Sequence, residues 1–107
     1  MASSVEYLNY ILEQLSALEG ITYRAMMGEY ILYYQDRIIG GIYDDRLLVK
    51  PAAAARHLMP EAPEELPYEG TKPMLLVEQV DDSAFLCKLC EAMLPELPAP
   101  RKRRQKA

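Results

Sequence analysis

Apolar and polar positions change rhythm several times along this chain, and each change marks an element. Leu8, Ile11, Leu12, Leu15 and Leu18 recur at the helical period and predict an N-terminal helix with one apolar stripe. Ser3 or Ser4 can cap its start, Glu6 falls in its first turn, and Gly20 is expected to stop it. From Ile21 the pattern becomes short runs of tyrosine, leucine and β-branched residues. Ile21–Met26 predicts a first strand, and Tyr30–Tyr34, Ile38–Tyr43 and Leu47–Val49 predict three more. Gly28 marks a turn or a close backbone approach, while Gln35-Asp36-Arg37 and Asp44-Asp45 are polar breaks of hairpin length. These strands read as an antiparallel meander.

Apolar character persists through Ile31-Leu32-Tyr33-Tyr34 and Ile38-Ile39, so part of the sheet is expected to be covered on both faces, the second cover being more of this chain or a partner subunit. Pro51 suits the first turn of a middle helix running through Ala52–Ala55 to Leu58 and Met59. From Pro60 to Pro73, four prolines, a cluster of glutamates and Gly70 predict a long loop, steadied by Leu66 and Tyr68. Met74–Val77 predicts a last strand returning to an open sheet edge. Asp81 or Asp82 opens a C-terminal helix with the stripe Phe85, Leu86, Leu89, Cys90 and Met93, which Pro95, Pro98 and Pro100 end. The expected fold is α+β and two-layered: an antiparallel five-stranded sheet, a meander plus a returning last strand, packed with N-terminal, middle and C-terminal helices. Residues 1–97 form one domain in this reading, and 98–107 a disordered proline-rich and basic tail.

Composition agrees with that picture and adds one asymmetry. A chain of 107 residues that is 50% hydrophobic and 26% charged is long enough for a single core and is not of disordered type. No apolar run approaches the ~20 residues that cross a bilayer, so no membrane is expected. MASSVEYL lacks the basic start of a signal peptide, and two closely spaced cysteines without an export signal suggest a reduced, cytoplasmic protein. Residues 1–100 hold sixteen acidic and seven basic side chains, whereas the last seven residues hold five basic ones. The folded part would repel a phosphate backbone; Arg101, Lys102, Arg103, Arg104 and Lys106 would be drawn to one. Nucleic acid is therefore a candidate partner only through the tail.

Catalytic constellations are not evident. Cys87 and Cys90 form a C-x-x-C, but both sit inside a predicted helix rather than at its start, where a thiolate would be stabilised. With His57 the only histidine, a four-ligand zinc site lacks ligands. Asp44-Asp45 and Glu64-Glu65 are adjacent acids that read as solvated turns. Neither a cofactor nor an enzymatic activity is expected; small-ligand binding or catalysis using Asp44, Asp45 and Cys87 is the weakest alternative. Tyr30, Tyr33, Tyr34 and Tyr43 carry more weight, because tyrosine suits interfaces. Tyr30 and Tyr34 should face one way and Tyr33 the other. Arg24 is the lone charge of the first strand and is expected to form a surface ion pair, with Glu29 or another acid, or to mark a binding surface.

Arg24-Ala-Met-Met-Gly-Glu-Tyr-Ile-Leu-Tyr33 resembles the R-x-M-F-G-x-Y-x-L-Y signature of the TfoX/Sxy N-terminal domain family. Arg24, Met26, Gly28, Tyr30 and Tyr33 match at fixed spacing; Met27 replaces the usual phenylalanine and Glu29 a common glycine. Gly41-Ile42, Asp44-Asp45 and Leu47–Lys50 extend the likeness, which spans roughly residues 4–95. The resemblance implies an antiparallel five-stranded sheet whose last strand lies beside the first. Full-length members resemble regulators of natural competence, bacterial proteins with a second, helical domain; this chain resembles the stand-alone N-terminal form. The functional expectation is a non-catalytic interaction module, a transcription or competence co-regulator. Its partner would be a protein, a second copy of the chain included, and its candidate surface is Arg24, Met26, Met27, Gly28, Tyr30, Tyr33 and Tyr34.

Overall fold

Helix α1 (Val5–Gln14) begins where the Ser4 hydroxyl accepts the Tyr7 N–H at 3.1 Å, with Glu6 in the first turn. A computed structural model describes residues 4–67 and 70–97 of the chain. The helix ends earlier than its apolar stripe does. Leu15 and Ser16 close onto Ile11, Leu12 and Glu13 in tight turns, and Gly20, with φ +90°, leads into β1 rather than capping α1. The Ser83 hydroxyl and the Cys87 thiol both donate to the Gln14 carbonyl, so the C-terminal helix satisfies an orphan acceptor of the first.

Four strands follow: β1 (Ile21–Met26), β2 (Glu29–Tyr34), β3 (Arg37–Ile42) and β4 (Leu47–Val49). Three two-residue turns join them, Met27-Gly28, Gln35-Asp36 and Asp44-Asp45, and all six residues have φ between 54° and 86°. Positive φ at both central positions is the type I′ geometry, whose twist matches that of the strands. The predicted meander is present. Between β2 and β3 the register slips by one residue, leaving Ile39 as the extra residue of a β-bulge, buried in the core.

Helix α2 (Ala53–Leu58) starts two residues after Pro51, which lies outside it in a tight turn that the Ala52 N–H closes onto the Lys50 carbonyl at 2.8 Å. Its N-cap, Ala52, offers no side-chain acceptor; instead Glu96 accepts the Ala54 N–H at 3.2 Å. The proline-rich stretch is not wholly loop. Glu64–Glu65 form a short strand, β5, on β6 (Met74–Leu76), giving a sheet of six strands in the order β1-β2-β3-β4-β6-β5, every pair antiparallel. The last strand therefore joins β4, at the opposite side of the sheet from β1. Placement beside the first strand is overturned: Leu48 and Val49 pair with Leu76 and Leu75, and Val77 donates to the Leu47 carbonyl.

Helix α3 (Ser83–Met93) starts at Asp82, which accepts the Phe85 N–H at 3.0 Å, and passes into a 3-10 turn at Leu94–Glu96 with Pro95. Asp81 accepts the Tyr10 hydroxyl, tying α3's approach to α1. One hydrophobic cluster joins Leu8, Ile11 and Leu15 of the first helix and its end to Leu86, Leu89, Cys90 and Met93 of α3, and to Leu32, Tyr34, Ile42, Val49 and Leu75 of the sheet. All three helices share that face. Among the described residues, the opposite face is covered by no helix. There Leu48 is wholly buried and Tyr43 nearly so, yet both lie outside the cluster; the Tyr43 ring folds over Gly41, where a Cβ would come within 2.6 Å of it. The double cover expected of the sheet is thus partly supplied by one tyrosine of the chain itself.

Candidate interaction surface on the first hairpin

Residues from β1, its turn and β2 form the most exposed apolar group of the sheet. Met27 occupies the first turn position with 96% of its surface exposed, and Met26 and Tyr23 are 38% and 49% exposed. The Tyr23 ring meets Tyr30 edge-on, centroids 5.9 Å apart, on the helix side of the sheet. Thr22, Arg24 and Met26 alternate to the other side, in line with Ile31 and Tyr33. Glu29 accepts the Asp44 N–H at 3.1 Å and so fastens the tip of this hairpin to the β3–β4 turn.

The sequence-predicted surface is only partly one surface. Arg24, Met26, Met27 and Gly28 are exposed together at the hairpin, and Tyr30 and Tyr33 are half-buried on its two faces. Tyr34 lies in the hydrophobic core and contributes nothing to the exterior. Arg24 makes no ion pair among the described residues; the two that form are Arg46–Glu65 and Arg56–Glu64. Its cross-strand neighbour is Ile31, so the expected partnership with Glu29 does not form, and its guanidinium is exposed without an ion pair among the described residues. Tyr23 was not singled out from sequence, although the alternation Ile21, Tyr23, Ala25 carried the signal. The basic residues Arg101, Lys102, Arg103, Arg104 and Lys106 lie outside the described residues, as do Ser3 and Tyr68.

Other candidate chemistry has structural occupations. Asp45 accepts the Ser4 N–H at 2.8 Å, which holds the β3–β4 turn against the start of α1. Among the described residues, no three His, Cys, Asp or Glu side chains converge on a possible metal position, and no helix is long and apolar enough to cross a membrane. Cys90 is buried on the core side of α3, and that burial, with Cys87 and Glu91 adding to it, pushes its thiol up to about 12. It holds no thiolate near neutral pH, so the C-x-x-C lacks one of its two nucleophiles.

That thiol has a measurable consequence. A thiol raised in the folded state stabilises the fold fully below its unfolded value near 9, and this contribution is lost as pH rises toward about 12. Denaturant melts are expected to show wild type losing roughly 2–3 kcal/mol by about pH 11 through this group. Cys90→Val should flatten that alkaline decline, and equal slopes for the two proteins would contradict the assignment.

The comparisons with known proteins bear on the whole domain. The TfoX N-terminal domain matches residues 13–94, which include every strand, α2 and α3. The chain belongs to the TfoX N-terminal domain family. It is also 28% identical over 107 residues to an uncharacterized 12.7 kDa protein in the trpE 5′ region of Spirochaeta aurantia, covering 99% of this chain and 93% of that one. No solved structure matches the chain. The TfoX N-terminal match encloses the first hairpin and the β3–β4 turn that supports it.

Proposed function

We propose that this TfoX N-terminal domain protein is a non-catalytic interaction module of the cytoplasm that binds protein through its β1–β2 hairpin. One observation carries the reading. Met27 stands at the first position of a type I′ turn, φ 54°, followed by Gly28, with almost its entire side chain in water. Asparagine is the residue that such a turn favours before glycine, since it tolerates positive φ and is polar. Methionine there forgoes local stability and presents a flexible, polarisable chain suited to adaptable contacts. Local rules are most often broken where a surface has work to do. Met26 enlarges the patch on the face away from the helices, where Arg24 adds a charge at its border, and Tyr23 exposes a second apolar surface on the helix side.

A co-regulatory role in transcription or competence is the biological setting that the likeness to TfoX/Sxy regulators supports. The test is capture of partners by tagged full-length protein from its native cells, with and without nuclease. A nuclease-resistant protein partner is expected. Recovery that depends wholly on nucleic acid would replace this reading with one centred on the basic tail.

A further inference from the structure

The two edges of the sheet are built differently. At one edge, β5 is two residues long, is made of Glu64 and Glu65, and is bracketed by Pro63 and Pro67, all devices that discourage pairing. At the other, β1 has six residues without proline or bulge and a single formal charge, Arg24. The Gly20 carbonyl accepts the Gln35 N–H, so in this register Thr22 and Arg24 exchange hydrogen bonds with β2. Ile21, Tyr23 and Ala25 therefore point their N–H and C=O groups outward, where no described residue pairs with them. Beside this edge, on the helix side, runs an open groove of about 650 Å³ lined by Leu12, Leu15, Leu18, Ile21 and Tyr23 together with Ser16 and Thr22. An unpaired ladder next to a groove of mixed lining, with three leucines along it, is the geometry that accepts an added strand whose alternate side chains enter the groove.

We propose that the occupant is β1 of a second copy, paired antiparallel about a two-fold axis at Tyr23. This rests on the reading of the hairpin as a contact surface and names its partner. In that register Ile21 faces Ala25 of the second copy and Tyr23 faces Tyr23 of the second copy, so every outward N–H meets an outward C=O. The side chains directed at the groove are then Ile21, Tyr23 and Ala25 of the second copy, the alternation it requires. Arg24 falls opposite Thr22 of the second copy, so no like charges meet within the pair. Because the axis is normal to the sheet, both helix layers lie on the same side and the two grooves join. The register also sets Met27 of each copy opposite Glu19 of the other, beside the Leu18 end of the groove. Another protein's extended segment fits the ladder less specifically, since nothing on this edge selects its side chains beyond their being apolar.

The experiment is sedimentation equilibrium of the full chain over a concentration series, for wild type and Ala25→Pro. Proline at this position removes an outward N–H and leaves the β1–β2 ladder intact. Wild type should dimerise, and the variant should dissociate roughly a hundredfold more readily, about tenfold for each of two lost bonds. A second arm does not depend on tolerance of proline. Tyr23→Cys in a Cys87→Ser background should give a covalent dimer under mild oxidation, since paired Cα atoms about 5.5 Å apart are within disulfide reach. Met26→Cys in the same background should not. A monomer at all concentrations, a dimer indifferent to Ala25→Pro, or cross-linking no better at position 23 than at 26 would each overturn the pairing. Capture of a different protein through Met27 would remain a separate result, so the two readings fail separately.

Discussion

Gly40→Ala is expected to cost about 4 kcal/mol or more, close to the whole stability of a small domain. A Cβ built at this position lies 2.0 Å from the Leu48 carbonyl oxygen and 2.7 Å from the Val49 Cα. Neither atom belongs to a side chain that can turn away, so β4 must leave β3 or the bulge beside Gly40 must unwind. Displacing β4 also strips β6 of its partner, because Leu48 and Val49 hold Leu76 and Leu75 on their other side. Chemical denaturation is the check: a midpoint within a few tenths of a molar of wild type would mean that the strands do not approach so closely.

Leu32→Ala is expected to lose about 3–5 kcal/mol, the upper part of the range for buried leucines. Leu32 is fully buried in the second strand from the open edge, and its cross-strand neighbours are Tyr23 and Gly40. Gly40 has no side chain with which to fill the space, and Tyr23 is half turned to solvent, so the site collapses poorly and a cavity remains. Ile38→Ala offers the contrast. Ile38 sits on the face without helices and is 39% exposed, and its truncation should cost well under half as much. Paired denaturation curves decide it, and equal losses at the two positions would contradict the one-sided core.

Much of this architecture was legible in residue spacing. The stripes of α1 and α3 and the four meander strands follow from local periodicity, and Tyr30, Tyr33 and Tyr34 divide between faces as alternation requires. Departures arise where distant contacts decide. Leu15 and Leu18 continue the helical period, yet they are placed by turns and by the α3 groups that claim the Gln14 carbonyl. Glu64-Glu65 has no strand character of its own and becomes β5 because β6 offers an edge and Arg46 and Arg56 meet its carboxylates. The position of β6 beside β4 is a long-range choice that no short window contains, and it leaves β1 as the unpaired edge. The hairpin motif was readable; the exposure of Met27 and Tyr23 followed only from knowing which strand is outermost.

The exposed hairpin is tested most directly by Met27→Asn, measured for both stability and partner binding. Asparagine before Gly28 suits the type I′ turn, so the variant should be more stable than wild type by about 0.5–1 kcal/mol while binding the captured partner, or a second copy, at least about tenfold more weakly. Opposite signs in the two measurements separate a working surface from a structural one. Binding that is undiminished in the stabilised variant would contradict the account.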